Sequence, residues 1–205
     1  LTAEYTSSSS PSSSSSSSPS SPSNTDPVPS LAHSPGNPSP PGLPLTLYDS
    51  FLPSDVLRDM QRIFRPQSSF WTEHHYDYLL NASRTVGYFS YLYPYKERTA
   101  QSFIEQVIDR LIPLVTEMFP EVADCEVAEW WVHTRPHSAG HQLHFDSDET
   151  HIEDGGTPCH PVATTVLYLS DDIGGPTLVT NQKLGGKLAT CGWLCPPKLN
   201  RLAIL

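Results

Sequence analysis

The sequence predicts a mainly β domain with flanking helices, a jelly roll with its helices packed on one sheet, behind a Ser/Pro-rich tail. Three observations carry this. Residues 1–42 are almost wholly Ser, Pro, Asn and other small residues, with an unbroken serine run at 12–18. Two later segments repeat apolar residues at helical spacing. From Cys125 onward the chain breaks into short β-favouring stretches punctuated by Gly, Pro and Asp. Helices followed by many short strands predict two packed sheets with a helical layer on one of them.

The tail cannot bury enough apolar surface to offset its ordering entropy, so 1–42 is expected to be a disordered, proline-extended tail or linker. Residues 43–205 have ordinary globular composition, and about 160 residues suit a single domain. The first helix is expected over 54–64, where Val56, Leu57, Met60, Ile63 and Phe64 form one face, Pro53 and Ser54 start it and Pro66 closes it. The Tyr-rich stretch 71–95 reads as strands and connecting loops. A second helix starts near Ser102 with Phe103, Ile104, Val107, Ile108, Leu111 and Ile112 on a broad apolar face. Pro113 should kink or end it, although Leu114, Val115 and Met118 carry the period on toward Phe119. Strands are expected at 127–134, 142–146, 162–170, 177–181, 187–190 and 201–205. Turn signals separate them: Ser138-Ala139-Gly140, Asp154-Gly155-Gly156, Gly174-Gly175-Pro176, Gly185-Gly186 and Pro196-Pro197.

Composition removes several function classes. The net charge is −10, and the basic residues Lys183, Lys187, Lys198 and Arg201 are too sparse for a phosphate-binding stripe, so nucleic acid is not an expected partner. No 18-residue apolar run is present, so no membrane span is expected. The four cysteines, Cys125, Cys159, Cys191 and Cys195, form neither a CxxC pair nor a disulfide framework. The chain starts at Leu1 and stops in the apolar stretch 201–205, so it reads as a fragment whose last strands are missing.

The chemistry concentrates at His144-Phe145-Asp146, inside the run from Gly140 through His141, Gln142 and Leu143. In an extended segment residues two apart face the same way, so an imidazole and a carboxylate stand side by side. These are two-thirds of the 2-His-1-carboxylate triad of non-haem Fe(II) oxygenases, with positions left open for cosubstrate and O2. With nine histidines in the chain, the pair alone is a weak signal.

Three further elements follow it in order: the strand Ala163-Thr164-Thr165-Val166-Leu167-Tyr168-Leu169-Ser170-Asp171-Asp172, the turn Gly174-Gly175-Pro176-Thr177-Leu178, and Pro196-Pro197-Lys198-Leu199-Asn200 running into 201–205. Together with H-x-D, these resemble the prolyl 4-hydroxylase-like branch of the Fe(II)/2-oxoglutarate dioxygenases over most of residues 45–205. The resemblance implies a double-stranded β-helix, the jelly roll of this family, with Fe(2+) as metal, 2-oxoglutarate and O2 as cosubstrates and L-ascorbate as reductant. It makes His144 and Asp146 metal ligands, and aspartate at 146 favours hydroxylation over halogenation. Tyr168, Thr164 and, less directly, Thr177 become candidates for the cosubstrate pocket, with the plain alternative that Tyr168 packs in the core. The implied activity is hydroxylation of a C–H bond of a peptide or small molecule, with peptidyl-proline suggested by the family branch alone. The family's third ligand, a histidine, and its 2-oxoglutarate-binding basic residue are expected beyond Leu205. His151 and His160 precede the strand that should come before that ligand and do not match it.

Other groups read more plainly. His133, His137 and His141 recur every fourth residue, but Pro136 and Gly140 break the helix that would stack them. Glu129-Trp130-Trp131 reads as a core-and-rim strand, and Asp148, Glu149, Glu153 and Asp154 as a solvated acidic loop. Two alternatives stay open: a non-catalytic jelly-roll scaffold, and a zinc-stabilised module using Cys159, Cys191, Cys195 and a histidine. Taken by itself, the chain is expected to bind iron weakly and turn over nothing, because two ligands leave the triad open.

Overall fold

The computed structural model describes residues 45–74, 90–132, 143–147, 159–171 and 175–205, together with the backbone course of 2–6. Two antiparallel sheets and a set of helices make up a mixed α/β fold. The first sheet has six strands: β1 (Thr2–Thr6), β2 (Thr46–Tyr48), β3 (Tyr91–Tyr93), β4 (Val127–Trp131), β5 (Thr164–Tyr168) and β8 (Arg201–Ile204), in the spatial order β2-β8-β5-β1-β4-β3. The second is a hairpin of β6 (Thr177–Thr180) and β7 (Gly192–Cys195). Among the described residues neither sheet closes or curls on itself, so the fold is helices with two small antiparallel sheets, and the expected jelly roll is not seen at this level.

The helices cover one face of the large sheet. Helix α1 (Ser54–Phe64) has the bounds expected from its apolar spacing, and its end at Arg65 (ψ 150°) follows from the restriction that Pro66 places on the residue before it. Helix α2 (Ser69–Glu73) is a departure, since this Tyr-rich region was expected to hold strands and loops. Phe70 and Trp71 override local preference by packing in the core, Phe70 edge-on to both Phe64 (ring centroids 4.8 Å apart) and Trp71 (5.3 Å).

Helix α3 (Phe103–Met118) opens with a capping box, Ser102 accepting from the Glu105 N–H while the Glu105 carboxylate accepts from the Ser102 N–H. Pro113, expected to kink or end it, does not end it: the helix runs on to Met118, as the continuing apolar period through Val115 and Met118 indicated. A proline inside a helix costs about 3 kcal/mol. Burying Ile104, Val107, Ile108, Leu111 and Val115 returns about 1.5–3 kcal/mol each, so packing prevails. A 3-10 turn (Pro120–Asp124) then leads into β4.

Strand parity sorts side chains into two cores. Leu167 of β5, Leu202 and Ile204 of β8, and Ala128 and Trp130 of β4 pack beneath the helices with Met60, Ile108 and Leu111. On the opposite face, Val166 and Tyr168 of β5 and Ala203 of β8 meet Val179, Trp193 and Cys195 of the β6–β7 hairpin. The hairpin is therefore a second layer laid against the large sheet, as expected of sheet-on-sheet packing.

Three strand expectations shift. Thr2–Thr6 lies inside the segment read as tail, yet it pairs antiparallel with both β4 and β5, and Thr2, Tyr5 and Thr6 are β-favouring residues that a composition average over 1–42 conceals. Residues 7–44 lie outside the described residues. No strand forms at 187–190. The Asn181 carboxamide instead accepts from the Thr190 and Cys191 N–H groups, and the strand begins at Gly192. A Cβ on Gly192 would sit 3.0 Å from Leu178 Cδ1 and 3.2 Å from the Val179 carbonyl, so the close approach of β6 and β7 requires glycine there. Of the strand expected at 142–146, residues 143–146 are part of neither sheet and Gln142 lies outside the described residues.

The turn before β8 ties the ends of the domain together. Asn200 adopts φ 59°, the left-handed region where glycine or asparagine is favoured. Its side chain accepts from the Leu52 N–H and donates to the Leu52 carbonyl, both at 2.8 Å, and its own N–H donates to the Tyr168 carbonyl. Asp49 joins the same region, accepting from Lys198 Nζ at 2.6 Å and Arg201 Nε at 2.7 Å. Arg201 and Lys198 hold the Asp49 carboxyl well down, from 3.8 to about 2.

Asn200→Ala is expected to cost roughly 2–4 kcal/mol in urea unfolding, because it strands two buried backbone groups and strains φ. Asn200→Gly, free of the strain, should cost about 1 kcal/mol less. Asp49 stabilises the fold above its unfolded pKa and loses that contribution as pH falls toward its folded value of about 2. The urea midpoints of the wild type and Asp49→Asn should therefore converge as pH drops from about 4 to about 2 and stay apart at neutral pH.

Candidate functional site

Strand β5 presents Thr164, Val166 and Tyr168 on one face, and the candidate residues gather along it. Residues 143–147 run past the Thr164 end. The Thr164 hydroxyl donates to Asp146 Oδ2 at 2.9 Å. The other carboxylate oxygen, Asp146 Oδ1, lies 3.0 Å from His144 Nε2. Period-2 alternation thus brings the two side chains together although the segment joins no ladder. The Asp146 main-chain carbonyl faces His160 Nδ1 at 2.6 Å, and the His160 ring lies against Phe145 with centroids 6.2 Å apart. Asp146 is held at three atoms, while the His144 side chain is 55% exposed.

Beside His144 is a cavity of about 220 Å³ lined by Leu143, His144, Phe145, Thr180 and Gln182. Its far wall is the end of β6 and the residues after it, so the hairpin layer and the His144 segment enclose it between them.

Tyr168 lies four residues further along β5, about 13 Å from Thr164. Its hydroxyl shares a 2.6 Å hydrogen bond with Thr177 Oγ1 of β6. Burial raises the Tyr168 phenol well above its ordinary pKa; the Thr177 bond works against this and the Cys195 thiol adds to it. The phenol is a neutral hydroxyl across the physiological range. The Tyr168 ring packs with Val166, Cys195 and Ala203, and its hydroxyl meets Thr177.

Two donor atoms bound to one ion at about 2.1 Å and at right angles lie about 3 Å apart, so the 3.0 Å separation of His144 Nε2 and Asp146 Oδ1 fits two neighbouring positions on a metal. Imidazole with carboxylate also suits Fe(II) in kind. Among the described residues no group of three His, Cys, Asp or Glu side chains converges. This bears on the zinc alternative too: Cys195 is buried beneath the hairpin, Cys159 is half-buried and Cys191 is exposed. His133, His137, His141, His151 and the acidic residues Asp148, Glu149, Glu153 and Asp154 lie outside the described residues. Glu129-Trp130-Trp131 forms part of β4, where Trp130 stacks on Tyr91 at 4.4 Å in the helical core.

The sequence offered no local signal for His160, which is 14 residues from Asp146 and meets it only through the fold. Gln182 and Thr180 were equally silent, because strand β6 faces the cavity only once the hairpin is laid down. No helix among the described residues is long and apolar enough to cross a membrane. Comparison with protein-family models, curated proteins and solved structures returns no match.

The Tyr168–Thr177 bond links the two layers, so Tyr168→Phe and Thr177→Val should be non-additive in urea unfolding. A double-mutant cycle is expected to show a coupling of about 1 kcal/mol, against near-zero for a hydroxyl pair that does not meet in solution.

Proposed function

We propose that this chain carries the metal-binding part of a non-haem Fe(II)- and 2-oxoglutarate-dependent dioxygenase that hydroxylates a C–H bond. The observation that supports it most directly is the pairing of His144 Nε2 with Asp146 Oδ1 at 3.0 Å beside an open cavity. His144 and Asp146 would hold the iron, and a further protein ligand comes from outside the described residues. When bound, the metal supplies the redox chemistry by which O2 is reduced, 2-oxoglutarate is decarboxylated to succinate and a C–H bond becomes C–OH. Ascorbate would serve as the reductant that keeps the metal ferrous.

The chain's own residues bind and orient. His144 and Asp146 would contribute an imidazole nitrogen and a carboxylate oxygen at neighbouring positions beside the cavity. Tyr168 does not line this cavity; its hydroxyl, now bonded to Thr177, would reach a carboxylate of 2-oxoglutarate only if the cosubstrate extends along β5 toward the hairpin. Leu143 and Phe145 flank His144 with apolar surface, which helps exclude water once substrate covers it. The finer fold behind this reading is a double-stranded β-helix, with the large sheet and the β6–β7 hairpin as its facing walls. Peptidyl-proline is the substrate class favoured by the resemblance of the strand and turn motifs.

The test is Fe(II)-dependent succinate formation from 2-oxoglutarate by the longest natural product that contains this chain. His144→Ala and Asp146→Ala should each lower it by at least about a hundred-fold, the order expected for loss of a group needed in the reaction step. Turnover unchanged in both variants would reject the dioxygenase reading in favour of a scaffold.

A further inference from the structure

We infer that Thr164 is a positioning residue for Asp146, rather than a contact for the cosubstrate. The inference rests on the dioxygenase reading of the same site and extends it to a residue whose side chain would not touch the metal. Thr164 is buried on β5, and its backbone is fixed on both sides of the peptide: its N–H donates to the Leu205 carbonyl at 2.7 Å and its carbonyl accepts from the Leu205 N–H at 2.9 Å. A β-branched side chain on a strand so held has few rotamers, and the one adopted aims Oγ1 at Asp146 Oδ2 at 2.9 Å. The hydroxyl is already committed as donor to the carboxylate.

The geometry divides the labour of the carboxylate. Oδ2 is occupied by Thr164, and Oδ1 is left 3.0 Å from His144 Nε2. A carboxylate free to rotate could offer a cation either oxygen, or both. With Oδ2 engaged, Oδ1 is the oxygen presented alongside the imidazole. Residues 143–147 join neither sheet, so the backbone there lacks ladder bonds to fix the side chain. Thr164 brings the rigidity of the sheet to that segment across 18 residues of sequence, and His160 on the Asp146 carbonyl adds a second anchor. Groups that orient a metal ligand in this way typically change metal affinity by 10–100-fold when removed.

The test uses Mn(II) as a redox-silent probe, with affinity read from electron paramagnetic resonance of the free ion. Proteins compared are the wild type, Thr164→Val, Thr164→Ser, Asp146→Ala and the double variant Thr164→Val/Asp146→Ala. Thr164→Val, which keeps shape and loses the hydroxyl, should weaken Mn(II) binding about 10–100-fold. Thr164→Ser should restore affinity to within about three-fold of wild type, and valine should add nothing further in the Asp146→Ala background. Wild-type affinity in Thr164→Val together with a raised KM for 2-oxoglutarate would overturn the proposal and return Thr164 to the cosubstrate pocket. An equal loss from valine with and without Asp146 would also overturn it, as a general structural effect. If Asp146→Ala itself leaves Mn(II) affinity unchanged, the metal-site reading fails and this inference with it, whereas loss in Asp146→Ala without loss in Thr164→Val sinks only the role of Thr164.

Discussion

Everything in this structure depends on β5 burying both of its faces. Thr165 and Leu167 point into the helical core, while Thr164, Val166 and Tyr168 point toward the hairpin layer and the His144 segment. A strand buried on one side could slip by a residue at the cost of that side alone. Here a one-residue slip would put the Tyr168 hydroxyl into the helical core and Leu167 against Thr177, so register is strongly specified. The same parity that closes the core also lines up the candidate site residues.

The neighbours of β5 explain how that register is kept. Strand β8 flanks it on one side with Val166 opposite Ala203, and β8 shares the alternation: Leu202 and Ile204 go to the helices and Ala203 to the hairpin. The turn into β8 is fixed by Asn200, whose carboxamide completes the hydrogen bonding of Leu52. The loop leading into α1, the end of β5 and the start of β8 are thus joined through one residue, its carboxamide holding Leu52 and its backbone N–H the Tyr168 carbonyl. The site is rigid on its sheet side and open on its His144 side.

The legible parts of the sequence were those where local spacing and tertiary packing agree. Ser54–Phe64 is the clearest instance, with its apolar face and flanking prolines giving both bounds. Pro113 misled because a local penalty of known size was outweighed by five buried apolar side chains on the same helix. Gly192–Cys195 was missed because a short stretch opening on glycine and ending before Pro196 carries little β signal of its own, and its strand state depends on pairing with Thr177–Thr180. At the site, His144 and Asp146 stood out by type and spacing, and Tyr168 by strand parity. Thr164 carried a signal for its face but not for its partner, since nothing local indicates that Asp146 lies across from it. His160 carried none.

The sheet order has a consequence for how the domain is made. Strand β2 belongs to the first residues of the domain, yet its only ladder is with β8, some 155 positions later, as in the Thr46–Ile204 pair. During vectorial synthesis the helices α1 and α3 emerge long before the strand that caps their apolar layer. Their faces must wait, exposed to solvent or to a chaperone, until Arg201–Ile204 leaves the ribosome and slots between β2 and β5. Domain closure is therefore a late, non-local event.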